Sequence, residues 1–144
     1  MHTRRWLFIL LWISLPFSTA FASDPCEKDW VTPDATAACA EKRLSVDIKV
    51  VAAEYRKLLA LLPQKLDEQS EFSPTATKTR LENAQAAWTK SVDINCALSP
   101  SISGGEFHYV SARTDYCRQE EYQRRAKQLK RWRLCIEEGG SQCP

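Results

Sequence analysis

"LSVDIKVVAAEYRKLLALLP", residues 44–63, decides the fold class. Its apolar positions Leu44, Ile48, Val51, Tyr55, Leu58 and Leu62 recur at spacings of four, three, four, three and four. That is the period of one face of an α-helix, not the alternation of a strand. Upstream, Thr32 followed by Pro33 and Asp34 reads as a helix start. Proline suits the first helical position, where no N–H bond is lost, and an acid suits the positive helix end. Pro63 is expected to stop this helix, because its ring cannot accommodate a continuing helical turn.

The rest of the chain repeats the pattern. "QKLDEQSEF" (64–72) is a polar connection, and Ser73-Pro74 marks a second capped start. Leu81, Ala84, Trp88, Val92 and Cys96 form the inward side of the second helix. "ALSPSISGG" (97–105), with its proline, serines and paired glycines, reads as a loop. A third helix opens after Gly104-Gly105, with Glu106 at its positive end. It carries Tyr109, Ala112, Tyr116, Gln119, Tyr122, Ala126, Leu129, Trp132 and Ile136 inward before Gly139-Gly140. The expected fold is all-α, a small disulfide-stabilised bundle of three long helices in one domain (23–144) with a short cysteine-containing tail.

Residues 1–22 carry a different signal. Arg4 and Arg5 precede a greasy run from Trp6 to Leu15, and Ala20-Phe21-Ala22 offers small residues for a signal peptidase. The run is roughly ten to twelve residues long, short of the ~20 needed to span a bilayer. A cleaved signal peptide and a periplasmic or secreted destination are expected, with no stable membrane insertion afterwards. The chain holds 20 Lys+Arg and 18 Asp+Glu. Removing Arg4 and Arg5 leaves 18 of each, so no global basic field argues for a nucleic-acid partner. Between Arg113 and Arg133, however, eight basic residues face three acids, a local excess on the third helix.

All six cysteines (Cys26, Cys39, Cys96, Cys117, Cys135, Cys143) follow the signal, and an even count in an exported chain reads as three disulfides. Six cysteines allow fifteen pairings, among which the sequence alone does not choose. Pairing neighbours is the expectation: Cys26 with Cys39, Cys96 with Cys117, Cys135 with Cys143. No Cys-x-x-Cys occurs and the mature chain has one histidine, His108, so zinc is not expected. If Cys96 bonds Cys117, the end of the second helix is pinned to the middle of the third. About three turns of the third, Glu106 to Tyr116, or roughly 16 Å at the helical rise, would then overhang. The loop 97–105 would climb that overhang to make a stiff protrusion bearing Ser101, Ser103, Gly104, Gly105, Glu106, Phe107, His108 and Tyr109. Rigid supports for exposed loops are where binding residues concentrate.

Catalysis has little to stand on. A nucleophile needs an activating base within hydrogen-bond reach; His108 has no obvious orienting partner, and the cysteines are committed to disulfides. Asp47 and Asp93 read as solvated or salt-bridged helix carboxylates, Trp88 as core, and the glycine pair lacks a phosphate-loop context. No enzyme activity, cofactor or metal is expected.

Several stretches together resemble a known family. "ACAEKRLSVDIKVVAAEYRKLL" (38–59) places Cys39, Asp47 and Tyr55 on one helix, and "AQAAWTKSVDINC" (84–96) places Trp88, Asp93 and Cys96 on the next. "GGEF" and Cys117 follow, then a basic helix. This resembles the bacterial LprI-like family, named for a mycobacterial lysozyme inhibitor, over Cys26 to Leu134. The resemblance implies a helical, exported, disulfide-stabilised domain and supports the Cys26–Cys39 and Cys96–Cys117 pairings. It implies an inhibitor of lysozyme-type peptidoglycan hydrolases, with lysozyme or another cell-wall hydrolase as partner. Family members often have Tyr-Arg where this chain has Ser91-Val92, so any contact of that arginine does not carry over. The alternative is an envelope interaction, stress or immunity-type module that binds another protein or an anionic wall polymer, using the basic third helix.

Overall fold

The structure, a computed structural model, describes residue 26 and residues 32–66 and 73–139. It consists of α1 (Pro33–Lys65), α2 (Pro74–Ser103) and α3 (Phe107–Glu137). The signal segment and Cys143 lie outside the described residues. Both capped starts form as the sequence indicates. Thr32 Oγ1 accepts from the Ala35 N–H at 3.2 Å, and Ser73 Oγ accepts from the Ala76 N–H at 3.3 Å. Each serves a donor that the first helical turn leaves without an internal partner.

Two proline expectations need correction. α1 runs through Pro63 to Lys65, where the Leu66 N–H closes the last turn on the Leu62 carbonyl at 3.0 Å. So near a helix end, proline removes a single bond and the remaining turn is completed from beyond it. The segment 97–103 is not a loop: α2 continues through Pro100 to Ser103. Pro100 is buried, and its carbonyl accepts from the Gly104 N–H at 3.1 Å. The carbonyl left without its helical donor is that of Cys96, four residues earlier, and Cys96 is held by a covalent bond instead.

Cross-links set the helix directions. Asp34 meets His108, Asp47 meets Gln123 and Glu54 meets Arg133, so α1 and α3 run parallel. Cys96 meets Cys117, Asp93 meets Arg118 and Gln85 meets Arg125, so α2 runs antiparallel to α3. The bundle is therefore up-down-up, and α1 packs mainly on α3. This narrow seam explains which apolar positions are inside. Leu44, Val51 and Leu58 are buried at seven-residue intervals, while Ile48 is 41% exposed. The position between Leu44 and Val51 that faces α3 is Asp47, whose Oδ2 accepts from Gln123 Nε2 at 3.1 Å. A helix that packs on one neighbour buries a two-in-seven stripe rather than a broad face. Ala84 and Tyr109, both expected inside, are exposed, and Gln85 takes the inward place beside Arg125.

The core cluster is Val51, Leu58, Leu62, Leu81 and Leu129, with Trp88, Tyr122, Trp132 and Ile136 packed against it. It lies at the end where α1 and α3 finish. At the opposite end the buried side chains are smaller: Cys39, Ala40, Cys96 and Ala112. Two disulfides reinforce that end, Cys26–Cys39 and Cys96–Cys117. Cys135 is also disulfide-bonded; its expected partner, Cys143, lies outside the described residues.

Candidate functional site

The turn between α2 and α3 holds every residue expected at the tip, in a different setting from the anticipated loop. Ser101 and Ser103 sit in the last turns of α2, and their hydroxyls donate to the Ala97 and Ser99 carbonyls at 2.6 and 3.0 Å. Serine commonly bonds back to the preceding turn in this way. Their oxygens remain outward as acceptors. Gly104 ends α2 at φ 69°, and Gly105 follows at φ 127°, a region that disfavours any side chain. Space at Gly105 is closed as well: a Cβ there would lie 2.9 Å from Tyr109 Cδ1. This chain reversal therefore depends on glycine twice over.

α3 starts at once, with Glu106 as its N-cap residue and no side-chain cap bond. The Glu106 carboxylate is exposed beside the positive end of the helix. His108 is turned toward α1, where its Nδ1 lies 2.9 Å from Asp34 Oδ1. Tyr109 accepts a hydrogen bond from Arg113 Nη1 at 2.9 Å, and the same guanidinium stacks 5.4 Å from its ring centroid. Glu106, His108 and Tyr109, with the cap residue Thr32 and with Pro33 and Thr36 of α1, surround a shallow cavity of about 290 Å³. The tip is thus flanked by α1 and does not stand clear of the body; the free overhang expected from the sequence is replaced by paired helices.

Sequence reading missed a surface beside this turn. Ile94, Leu98 and Ile102 are all exposed, with Ile102 76% exposed, and Phe107 beyond the turn is 79% exposed. Spaced four apart, the three α2 residues form a ridge on one helix face. The signal was visible in the spacing, but only for a reader who continued α2 past Cys96. Behind the ridge, the Cys96–Cys117 bond is joined by Arg118, whose guanidinium reaches Asp93 at 3.3 Å and Asp115 at 3.7 Å. Burial raises the Asp115 carboxyl above its ordinary range, an effect that Arg118 opposes and Glu41 reinforces.

Chemically, this surface combines exposed apolar side chains with few groups suited to catalysis. The His108–Asp34 pair resembles half of a relay, yet Ser101 and Ser103 direct their protons to backbone carbonyls. Among the described residues no cluster of three or more His, Cys, Asp or Glu is arranged to hold a metal ion, and no helix is long and apolar enough to cross a membrane. What the arrangement offers is outward apolar area, serine and backbone acceptors and one carboxylate, mounted on two helices joined covalently.

No curated protein and no solved structure matches the chain. Residues 26–129 match the family model described as lysozyme inhibitor LprI. The matched span takes in the α2–α3 turn, both fully described disulfides and most of the parallel α1–α3 seam, and it stops within α3 at Leu129. The chain belongs to the lysozyme inhibitor LprI family.

Proposed function

We propose that this protein is an exported, non-enzymatic inhibitor of a lysozyme-type peptidoglycan hydrolase, and that it binds through the α2–α3 tip. Residues 1–22 direct export, and residues 23–144 form one domain with a short tail. The observation that carries the binding surface is the exposed apolar ridge of Ile94, Leu98 and Ile102 with Phe107. A standard interface takes about 20–30 residues from each partner, more than the turn residues alone supply. The ridge and the flank of α1 around Asp34 complete it. Ser101, Ser103, Gly104, Gly105, Glu106, Phe107, His108 and Tyr109 then form the leading edge.

Hydrolases of this type hold two carboxyl groups in a cleft that must admit a glycan chain. A wedge made of two cross-linked helices would fill such a cleft without itself being a substrate. Because the Cys96–Cys117 bond orders α2 and α3 before contact, little conformational entropy remains to be lost on docking. The apolar ridge supplies affinity, while Glu106 meets the basic rim of the cleft and speeds the encounter.

The test is a cell-wall lysis assay with the oxidised, signal-free protein at increasing ratios to lysozymes of several types. Inhibition that saturates near equimolar protein is the expected result. Phe107→Ala and Ile102→Glu should each weaken it with the helical circular-dichroism signal intact. No inhibition of any lysozyme at large excess would refute the proposal.

A further inference from the structure

A second face of the molecule carries chemistry that the tip does not use. In α3, Arg124, Lys127 and Arg131 follow one another at three and four residues and so share one side of the helix. They border an open groove of about 720 Å³ whose wall on the α2 side is Trp88. Five basic side chains line the groove against one acid, Glu121, which is already paired with Arg124 at 2.6 Å. Lys127, Lys130 and Arg131 make no ion pair among the described residues.

Arg125 lies in the wall of this groove and is only 6% exposed. Its Nε donates to Gln85 Oε1 at 3.0 Å and its Nη1 to Gln128 Oε1 at 2.7 Å. Its guanidinium lies over the rings of Trp88 and Trp132, 5.4 and 5.2 Å from their centroids. Nη2 is buried with no hydrogen-bond partner. Burial pulls the Arg125 pKa down, and the partial negative influence of Tyr55 opposes it; an arginine nonetheless keeps its charge. A full positive charge is thus surrounded by two amides and two indoles, with no carboxylate bonded to it. Cation–π contacts offset part of the desolvation, but no bonded carboxylate compensates the charge in the groove wall.

We propose that this groove binds a polyanionic polysaccharide, a glycan chain that carries phosphate, sulfate or carboxylate groups. Cations three and four residues apart on a helix stand about 5–6 Å from one another at their Cβ atoms, a ladder suited to a chain of repeated charges. Trp88, which lines the groove, provides apolar surface beside these cations for a sugar ring. Arg125 lies nineteen residues beyond Glu106, or about 28 Å along the helix, so the groove and the tip can be occupied together. In an envelope compartment such binding would hold the protein against the wall polymer, at the place where hydrolases act. This inference does not depend on hydrolase inhibition.

The test titrates the signal-free, oxidised protein with dextran sulfate, with unsulfated dextran of the same length and with a single-stranded oligonucleotide of matched charge. Tryptophan fluorescence gives the readout, because Trp88 and Trp132 flank Arg125. Dextran sulfate should bind and shift the emission, with affinity that falls steeply as salt rises, and plain dextran should not bind. The triple variant Lys127→Glu, Lys130→Glu, Arg131→Glu changes only exposed side chains. It should weaken binding by about tenfold or more through lost ionic contacts. Arg125→Met should abolish the emission shift. If that variant does not fold, the exposed triple variant decides alone. Wild-type affinity in the triple variant, or no binding at low salt, would overturn the proposal. Equal binding of the oligonucleotide would overturn the glycan assignment.

Discussion

At the end of the bundle where α1 and α3 finish, Leu58, Leu62, Leu81 and Leu129 fill the interior with large side chains. At the end where α2 turns into α3, the buried positions are small (cysteine, alanine and Pro100), and two disulfides lie among them. One end is held by apolar burial and the other by covalent bonds. The difference follows from where the large side chains lie. Large residues near the tip, such as Ile102 and Phe107, point outward, so they are not available to build a core there. A cross-link restricts the unfolded chain without needing interior volume, and small domains with thin cores commonly rely on it.

The comparison breaks first at Leu129, which is fully buried. Leu129→Ala should cost about 2–5 kcal/mol in urea unfolding, since the cavity opens at the centre of the packed end. The cross-linked end answers next. Replacing Cys96 and Cys117 together by serine frees a loop of 21 residues and should cost about 3 kcal/mol. Hydrogen exchange should localise that loss: amides in residues 97–103 exchange faster while those around Leu58 keep their protection. Uniform loss of protection through all three helices would show that the two ends are one cooperative unit, and the contrast between them would fail.

Much of this architecture was legible in the sequence, and the failures share one cause. Helix starts at Thr32 and Ser73 were readable because capping is local: a side-chain oxygen and an N–H three residues later. The inward stripe of α1 was readable except at Ile48, because periodicity gives a face but not its width, which depends on how many neighbours the helix meets. The end of α2 was misread because Pro100 is a helix breaker by local rules. Its cost there falls on a residue fixed from another helix, a fact that no window of sequence contains. The tip residues were placed at the right turn, while the ridge of Ile94, Leu98 and Ile102 was hidden by the same misreading. Arg125 was unreadable as a buried cation, since only the folded chain brings Gln85, Trp88 and Trp132 around it.

Acid sharpens the comparison, because carboxylates at the two ends shift in opposite directions. Glu54 is held below its ordinary value of 4.5, chiefly by the hydrogen bond from Lys57 and with help from Arg133, against an opposing effect of burial. Its contribution is complete above that value and disappears as pH falls through the lower, folded-state pKa. The Tm difference between wild type and Glu54→Gln should therefore shrink on acidification below about 4.5. Asp115, near the cross-linked end, is raised by burial, so its ionised form opposes folding at neutral pH. Asp115→Asn should gain stability at pH 7, and the gain should vanish as pH falls through Asp115's raised folded-state pKa toward its ordinary value of 3.8. Thermal melts from pH 7 to pH 3 check both signs; parallel curves for the two variants would remove the electrostatic side of the contrast.

The smallest expected effect on stability is the most informative about function. Ile102 is 76% exposed and makes no core contact, so Ile102→Glu should change the unfolding free energy by no more than about 0.5 kcal/mol. If the ridge is kept apolar for a partner, the same change places an unpaired carboxylate in the centre of a desolvated contact and should cost more than tenfold in affinity for the hydrolase. Stability and binding then separate at one residue, whereas Leu129→Ala acts on stability through the packed end. Paired measurement of urea midpoint and inhibition constant decides the matter. An Ile102→Glu protein that inhibits as well as wild type would mean that the outward isoleucines serve no contact, and the cross-linked end would need another reason for its thin core.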